Sequence, residues 1–465
     1  MSVPVAGALD LSDTIVAIAT APGRGALSVV RLSGPAAHRL AQSALDRWPP
    51  TPRRATLSVV RDAQGAEVDQ AVVIRYDAPA SFTGDDAVEI ITHGGSVVPA
   101  TVVAAFISRG ARQAQPGEFT RRAVLNGKLD ILQAEATGDL VNASSRAGQR
   151  VALRQLDGGL SRRVLALRDQ LIGLEALIAY DIDFPEEDDG PIAPERISRA
   201  TDELIEALEN LLATARAGEL VREGALVVLA GAPNVGKSSL FNALLGHNRA
   251  IVTDIPGTTR DAIEAVIDTP LLPLRLVDTA GLRRADDPVE RIGVEVSESY
   301  LTRASVVLAC ADSPTTASAL ITELRGRTSA PVILVRTKTD VCPATNIEIE
   351  SGRAALGAVA ALGVSAESGH GLDTLVAMTA HAAEHDAGGL EIDAPVLTHA
   401  RHRFGVSRAL DEVREFRARR HEGNIPALVA AVHLREAARS LEELVGRVDV
   451  EDVLDEVFRR FCVGK

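Results

Sequence analysis

Residues 231–238 read GAPNVGKS and match the phosphate-loop pattern G-x-x-x-x-G-K-[ST]. The apolar run ALVVLA at 225–230 precedes the match, and SSLFNALLG at 238–246 follows it. This order predicts a strand, a glycine-rich turn and a helix N-terminus, whose backbone N–H groups can surround the phosphates of a nucleotide. A chance glycine turn before a buried helix is the alternative, and both flanking segments argue against it. We therefore predict a nucleotide-binding α/β domain in which Lys237 reaches the β/γ-phosphates and Ser238 ligates Mg²⁺.

Size and composition indicate a soluble protein of several domains. The chain has 465 residues, of which 46% are hydrophobic and 24% charged, as is ordinary for globular proteins. Its net charge of −14 argues against a protein that coats nucleic acid, although a local basic patch could still bind RNA. The three cysteines are widely spaced, the N-terminus lacks the pattern of a signal peptide, and apolar runs are short. These features predict a cytoplasmic protein without disulfides or membrane spans.

The N-terminal part of the chain has the pattern of a mixed α/β domain. Segments rich in Gly and Pro separate short apolar runs, which predict strands. The runs are TIVAIAT at 14–20, LSVVRL at 27–32, AVVIRY at 71–76 and AVEIIT at 87–92. From about residue 128, Val and Leu recur at three- and four-residue steps, which predicts long helices with a weak point at the glycine pair 158–159.

Strand and helix patterns alternate again in the part of the chain that holds the phosphate loop. The strand candidates are the runs at 225–230, 274–278, 305–312 and 331–340. Their alternation with helical patterns indicates a parallel sheet with crossover helices. Helical patterning resumes after 381–393, which we interpret as a linker. The predicted domains are an α/β domain at 1–126, a helical domain in two parts at 127–222 and 383–465, and a P-loop domain inserted between them at 223–382.

The segment DTAG at 278–281 has the spacing of a second nucleotide motif. Asp278 can hold Mg²⁺ through water, and the Gly281 N–H can contact the γ-phosphate. The next residue is Leu282, where many GTPases carry a Gln that orients the attacking water. An apolar side chain cannot do this, so another group must. Glu290 lies nearby in the sequence and is the candidate, although an exposed helix carboxylate is the alternative.

Two later segments resemble motifs that recognise guanine. TKTD at 337–340 resembles N-K-x-D, in which the carboxylate accepts hydrogen bonds from the guanine N1–H and 2-amino group. Asp340 supplies that carboxylate, whereas Thr337 stands where Asn is usual, so one purine contact is expected to weaken. VSAE at 364–367 resembles the S-A-x segment that closes over the guanine oxygen. The order of the four motifs predicts a GTPase.

The segment IVTDIPGTTRD at 251–261 occupies the place of the first switch. Thr259 is the candidate for the second Mg²⁺ ligand. Asn234, inside the phosphate loop, offers an oxygen that could help to cage a monovalent cation, although Asn is also common in turns. Such a cation would supply the positive charge that an arginine finger supplies in other GTPases.

Several segments in the same order resemble one family. They are DTIVAIATAPGRGALSVVRLSGP at 13–35, TGDDAVEIITHGG at 83–95, QPGEFTRRAVLNGKLDILQAEA at 115–136, GTTRD in the switch and FCVGK at 461–465. Over essentially its whole length the chain resembles the tRNA uridine-modification GTPases of the MnmE (TrmE) family. The phosphate loop is shared by many families, whereas these segments together are specific.

The resemblance implies an architecture and an activity. The N-terminal α/β domain would bind a folate and dimerise, and the P-loop GTPase domain would be inserted into the helical domain. A homodimer would act with the FAD- and NADH-using protein MnmG (GidA), in a heterotetramer, on tRNA. The complex would add an aminomethyl or carboxymethylaminomethyl group at C5 of the wobble uridine. The one-carbon unit would come from 5-formyl- or 5,10-methylene-tetrahydrofolate, and potassium would stimulate GTP hydrolysis through dimerisation of the GTPase domains.

The resemblance also implies roles for individual residues. Glu290 corresponds to the catalytic glutamate. The Mg²⁺ ligands are Ser238 and Thr259, and the K⁺ ligands are Asn234, Thr253, Ile255 and Thr258. The nucleotide-binding positions are Asn234, Val235, Gly236, Lys237, Ser238, Ser239, Thr253, Thr258, Thr259, Asp278, Thr279, Ala280, Gly281, Thr337, Lys338, Asp340, Ser365 and Ala366. The folate positions are Arg31, Glu89, Lys128 and Lys465, and Cys462 is a candidate nucleophile.

The chemistry of a folate suits these residue types. A pterin presents an amino group and a ring N–H side by side, which suits the carboxylate of Glu89, and the carboxylates of the folate tail suit Arg and Lys. Each of these charges could instead be a solvated surface group. Docking or packing is the stronger expectation for Cys462, because the C-terminal end of a helix does not lower the pKa of a thiol.

Two other functions and one other surface fit parts of the sequence. A regulatory GTPase of ribosome assembly would share the switch sequences, and a folate-binding module could carry a GTPase remnant. The N-terminal domain and the CVGK terminus argue against the ribosome-assembly GTPase. The intact GTPase residues argue against the folate-binding module with a GTPase remnant. A basic cluster at 414–421 could face tRNA phosphates, although a solvated helix face is the stronger expectation.

Overall fold

The computed structural model describes residues 12–49, 51–183, 193–247, 264–278, 299–343, 352–354, 356–389, 394–422, 427–446, 461 and 464. The chain divides into two compact units. The N-terminal unit comprises Met1–Gly138 together with Val445–Lys465, and the second unit comprises Asp139–Leu444.

The N-terminal unit is a mixed sheet with helices. Its elements are β1 (Ile15–Ile18), β2 (Leu27–Ser33), α1 (Ala37–Ala44), β3 (Thr56–Arg61), β4 (Glu67–Tyr76), β5 (Ala87–His93), α2 (Val98–Ile107), β6 (Arg112–Gln113), α3 (Glu118–Leu125) and the start of α4 (Ile131–Asn142). The strand order is β3-β4-β5-β2-β1-β6. The four predicted strands are confirmed, and β3 and β6 are additional.

One face of this sheet packs against α1 and α2. Val30, Val73 and Ile90 point to that face and are fully buried with Leu40 and Phe106. Because side chains alternate along a strand, the neighbours of these residues lie on the opposite face. The opposite face carries a small apolar cluster of Ile15, Ala17, Ala114 and Phe119, and it also carries the polar side chains of Arg31 and Glu89.

The helices of the second unit come mostly before and after its sheet. They are α5 (Arg146–Leu156), α6 (Gly159–Asp183), α7 (Pro194–Ala213), α8 (Ala215–Glu223), α9 (Lys237–His247), α10 (Pro314–Leu324), α11 (Leu372–Asp386), α12 (Ala400–Glu422) and α13 (Ala427–Val445). α5 ends at Leu156 and α6 begins at Gly159, so the helical stretch breaks at the weak point predicted for the glycine pair, with Gly158 at a φ of 78°. Residues 381–386, by contrast, belong to α11 rather than to a linker.

The sheet of the second unit is parallel except at one edge. Its strands are β7 (Ala225–Ala230), β8 (Glu264–Ile267), β9 (Leu274–Asp278), β10 (Val306–Ala311), β11 (Val332–Arg336) and β12 (Ala360–Gly363). The order is β12-β11-β10-β7-β9-β8, and only the β8–β9 pair is antiparallel among these strands. Helices cover both faces, so β7 and β10 are buried along their whole length.

The fold is therefore multidomain α/β, with a helical part and a P-loop sheet, as predicted. Within the described ranges, none of the helices combines the length and the apolar character that crossing a membrane requires.

Candidate functional site

The phosphate loop leaves the carboxyl end of β7, near the middle of the parallel sheet. Gly231 has a φ of +150°, and a Cβ at this position would lie 2.4 Å from the carbonyl oxygen of Cys310. The loop therefore passes too close to β10 for any side chain. Asn234 and Gly236 follow with φ values of 63° and 100°, and α9 begins at Lys237. This is the turn that presents N–H groups and a helix N-terminus to phosphates.

Lys237 lies against the loop that it would serve. Its side chain is only 7% exposed, and its Nζ donates to the carbonyl oxygens of Gly231 and Ala232 at 2.8 and 2.9 Å. The ammonium group is thereby kept at the start of the loop. From this position it can exchange carbonyl partners for phosphate oxygens.

A hydroxyl and a carboxylate meet beside the loop. The register of β7 and β9 pairs Leu229 with Asp278, so Asp278 emerges next to the phosphate loop. The Ser238 Oγ donates to the Asp278 Oδ2 at 2.8 Å. Oxygen donors of these two kinds are what Mg²⁺ prefers in nucleotide sites. Ser238, a predicted Mg²⁺ ligand, thus meets Asp278, which was predicted to hold the ion through water, and the oxygen donors of both residues fit the ion.

Thr337 joins the guanine-motif segment to the phosphate loop. Its side chain is 3% exposed, and its Oγ1 lies 2.6 Å from the Val235 carbonyl oxygen and 3.3 Å from that of Ala311. The Lys338 Nζ donates to the carbonyl oxygen of Asn234 at 2.7 Å. Both residues therefore fix the backbone of the phosphate loop, a role that the sequence did not reveal for Thr337.

The remaining guanine-motif residues lie in two connected turns. The Thr339 N–H donates to the Val364 carbonyl oxygen at 3.2 Å, which connects the turn after β11 with the turn after β12. Ser365 is buried and its N–H donates to the His370 carbonyl oxygen, whereas the Asp340 side chain is exposed. The segments that resemble the two guanine motifs therefore lie next to each other, after the carboxyl ends of the neighbouring parallel strands β11 and β12.

Cys310 lies beneath this site. Burial raises the pKa of its thiol to about 12, with Lys237 acting in the opposite direction. A thiol with so high a pKa stays protonated at neutral pH and is a poor nucleophile. Its role is to fill the core under the loop.

The N-terminal unit contains a separate polar pocket on the sheet face away from α1 and α2. Its volume is about 150 Å³, and its lining residues are Arg31, Ser33, Tyr76, Phe82, Thr83, Ala87 and Glu89. The Arg31 guanidinium donates to the Glu89 Oε1 from Nε at 3.1 Å and from Nη2 at 2.8 Å. Two of the predicted folate residues therefore face each other directly.

Aromatic side chains surround this ion pair. The Arg31 guanidinium carbon lies 5.5 Å from the centre of the Phe82 ring and 5.6 Å from that of Phe119, within the range of cation–π contacts. Phe82 is 42% exposed at the pocket. Lys128 does not line the pocket but donates to the Pro79 carbonyl oxygen at 3.0 Å, in the loop that carries Phe82.

The end of the chain packs against the N-terminal unit. A Cβ at Gly464, whose φ is +100°, would lie 2.2 Å from the Ile18 carbonyl oxygen. Phe461 packs on Gly138, where an added Cβ would lie 3.0 Å from the Phe461 Cζ. Gly464 is therefore held close to β1. In the sequence it lies between Cys462 and Lys465, the two site residues predicted at the terminus.

Two family models and a set of curated relatives match nearly the whole chain. The model described as the GTP-binding protein TrmE N-terminus matches residues 14–128, and the model of the MnmE helical domain matches residues 131–462. The tRNA modification GTPase MnmE of Azoarcus sp. (strain BH72) is 45% identical over 97% of this chain and 98% of its own length. That of Aquifex aeolicus (strain VF5) is 40% identical over 98% of this chain and 100% of its own.

The chain belongs to the MnmE family of tRNA modification GTPases. As a member of this family it is an enzyme that hydrolyses GTP. The G domain of the T. maritima FeoB iron transporter aligns with 34% of this chain and 98% of its own at 29% identity. Its TM-score of 0.28 is too low to support an argument about the fold.

Several residues for which the resemblance to MnmE predicted a role lie outside the described residues. They are Thr253, Ile255, Thr258, Thr259, Thr279, Ala280, Gly281, Glu290, Cys462 and Lys465. Ser239 lies in the first turn of α9, and Ala366 follows Ser365 in the sequence.

The basic cluster on α12 forms ion pairs. The Arg414 Nη2 lies 2.6 Å from the Glu209 Oε1, and the Arg417 Nη1 lies 3.1 Å from the Asp202 Oδ1, both on α7. The Arg419 Nε pairs with the Glu415 Oε1 at 2.6 Å. Exposed pairs of this kind are typical of a solvated helix face, which is the expectation that the sequence favoured.

Proposed function

We propose that this chain couples potassium-activated GTP hydrolysis to the modification of tRNA at C5 of the wobble uridine. It acts in the cytoplasm as a homodimer, with an FAD-dependent partner of the MnmG (GidA) type in a heterotetramer. A tetrahydrofolate, in its 5-formyl or 5,10-methylene form, supplies the one-carbon unit. The observation that carries the proposal is that a complete phosphate-loop arrangement and the Arg31–Glu89 pocket occur in one chain of this family.

Hydrolysis proceeds by in-line attack of water on the γ-phosphate, without a covalent intermediate. Lys237 pairs with the β/γ-phosphate oxygens, and the loop N–H groups hold the rest of the triphosphate. Glu290 orients the attacking water, because Leu282 cannot. Negative charge builds up on the phosphate oxygens during the reaction. Cationic groups must therefore line this site to stabilise it.

Two cations would complete the site. Ser238 and Thr259 would ligate Mg²⁺, and Asp278, which accepts a hydrogen bond from Ser238, would hold the ion through water; the ion would neutralise phosphate charge. Asn234, Thr253, Ile255 and Thr258 would hold K⁺, which would supply the positive charge that other GTPases obtain from an arginine. Support for the first ion comes from the Ser238–Asp278 contact.

The pocket of the N-terminal unit would bind the pterin part of the folate. The Glu89 carboxylate accepts hydrogen bonds from the amino group and ring N–H, and Arg31, Lys128 and Lys465 are the cationic groups for the negative part of the ligand. A pocket of about 150 Å³ is smaller than the roughly 300–1,000 Å³ typical of sites for whole drug-sized ligands. It therefore suits one ring system, with the remainder of the folate outside it.

The proposal is tested by nucleoside mass spectrometry of bulk tRNA from cells with and without this chain. Deletion should abolish the C5-modified wobble uridine, the wild-type gene should restore it, and Lys237→Ala should not. An unchanged nucleoside profile after deletion would contradict the proposal. A ribosome-assembly defect with normal tRNA would favour the rival function instead.

A further inference from the structure

Three strands place a tyrosine beside the carboxylate of the N-terminal pocket. Arg31 on β2 is the direct cross-strand neighbour of Glu89 on β5, and Glu89 is the neighbour of Ile74 on β4. Tyr76 lies two residues after Ile74 and therefore on the same face, diagonal to Glu89. The Tyr76 hydroxyl donates to the Glu89 Oε2 at 3.0 Å.

The two partners of Glu89 use different oxygens. Both bonds from Arg31 end on Oε1, whereas the bond from Tyr76 ends on Oε2. A carboxylate has about two lone-pair positions on each oxygen. Counting the hydrogen bonds from described residues, Oε1 accepts two and Oε2 accepts one, which leaves one acceptor position on Oε2. The Tyr76 bond also fixes the plane of the carboxylate, which Arg31, bonding to a single oxygen, does not.

The surroundings keep Tyr76 a neutral donor. Burial raises the pKa of its hydroxyl above 10, and the negative charge of Glu89 raises it further. The side chains of Arg31 and Glu89 are each 23% exposed, and both line the pocket together with Tyr76, so the three groups meet where a ligand can reach them. A carboxylate held in this way has a fixed direction for its remaining acceptor position.

We propose that Tyr76 is a positioning residue that orients Glu89 toward a 2-amino-4-oxo heterocycle such as a pterin. The inference rests on the proposed folate function. It identifies Tyr76 as the residue that makes the pocket selective for the 2-amino-4-oxo ring. One ligand N–H takes the remaining position on Oε2, and the second takes the place of one Arg31 bond on Oε1. The rings of Phe82 and Phe119 keep the Arg31 guanidinium beside the site when that bond is exchanged.

The test compares Tyr76→Phe with the wild type by calorimetry, using two ligands. One is 5-formyl-tetrahydrofolate, and the other is an analogue in which a methyl group replaces the 2-amino group. The variant should lose roughly tenfold in affinity for the first ligand, as for one hydrogen bond at a charged group, and less than about twofold for the second, which makes no paired contact with Glu89.

Controls separate positioning from folding. Tyr300→Phe makes the same chemical change in the second unit and should alter neither affinity. In a Glu89→Gln background, Tyr76→Phe should cost little more, because the carboxylate that it orients is already gone. Thermal unfolding and GTP affinity of Tyr76→Phe should match those of the wild type.

The outcomes are distinguishable. Equal losses for both ligands would show that Tyr76 only maintains the pocket, and unchanged affinities would show that it does nothing for binding; either result overturns the inference while leaving the folate function standing. Failure of the wild-type protein to bind the folate would overturn the proposed folate function itself.

Discussion

Thr337 illustrates what a single residue does in the nucleotide site. The sequence predicted a weakened purine contact at this position, because Asn is usual there. The structure places its hydroxyl 2.6 Å from the Val235 carbonyl oxygen, inside the core and away from solvent. Threonine therefore keeps a connection between the guanine-motif turn and the phosphate loop. Sequence comparison with a motif could not show this, because the partner is a backbone atom 102 residues away.

Thr337→Val should destabilise the protein and weaken GTP binding. Valine has the same shape but no hydroxyl, so the buried Val235 carbonyl oxygen would lose its partner, at a cost of roughly 1–3 kcal/mol in the free energy of unfolding. Denaturant unfolding and equilibrium binding of a fluorescent GTP analogue measure the two effects. Thr337→Ser keeps the hydroxyl and is the control. Equal stability and affinity for the valine variant and the wild type would contradict this role.

At the scale of elements, the sequence predicted what local patterns determine. The run that forms β7 is apolar throughout because the strand is buried on both faces, and the following glycines mark the loop. β3 was missed because its Leu57 is 58% exposed and its pairing with β4 depends on a partner strand. The predicted start of the linker at residue 381 was wrong. Residues 381–386 belong to α11, because the alanines in this stretch favour continuation of the helix.

Gly231→Ala should weaken GTP binding, because the phosphate loop passes too close to β10 at this position for a side chain. The added Cβ would lie 2.4 Å from the Cys310 carbonyl oxygen, so the loop or β10 must move, at a cost of roughly 1–3 kcal/mol. GTP affinity, measured by calorimetry, should fall sharply. Gly246→Ala is the matched control, because a Cβ there, near the end of α9, meets open space. Comparable affinity of the two variants would refute the argument.

Gly464→Ala should loosen the end of the chain from β1 and weaken folate binding without affecting GTP. The Cβ would lie 2.2 Å from the Ile18 carbonyl oxygen. Gly65→Ala also introduces a side chain at positive φ, in the same unit but in open space, and so controls for backbone strain. Calorimetry with 5-formyl-tetrahydrofolate measures the effect, and deletion of Val463–Lys465 should reproduce it. If Gly464→Ala and the deletion variant both bind the folate as tightly as the wild type, the terminus is not part of the folate site.

At the scale of the whole molecule, the family and the domain types follow from the sequence, whereas the pocket of the N-terminal unit does not. Arg31 and Glu89 were assigned by resemblance, but Tyr76 and Phe82 were missed. They reach the pocket through cross-strand register and a loop, and a lone aromatic carries no signal of that placement. The phosphate loop, in contrast, is local in sequence, so its geometry could be predicted from spacing alone.

Glu290→Ala should retain GTP binding and lose potassium-stimulated hydrolysis. Removal of the carboxylate leaves the triphosphate contacts intact but removes the group that orients water. Glu203→Ala, an exposed carboxylate on α7, is the control. Turnover and equilibrium binding in potassium buffer separate the two effects, and wild-type turnover in the variant would exclude Glu290 from catalysis.

The most direct test of the whole account is GTP turnover by the purified wild-type chain in potassium and in sodium buffer of equal ionic strength. Because the proposed mechanism gives K⁺ the positive charge that other GTPases obtain from an arginine, hydrolysis should depend on an alkali cation near the β/γ-phosphates. The proposal predicts turnover more than about tenfold faster in potassium, together with a cation-dependent increase in dimer formation. Equal turnover in sodium by a monomeric chain would contradict it.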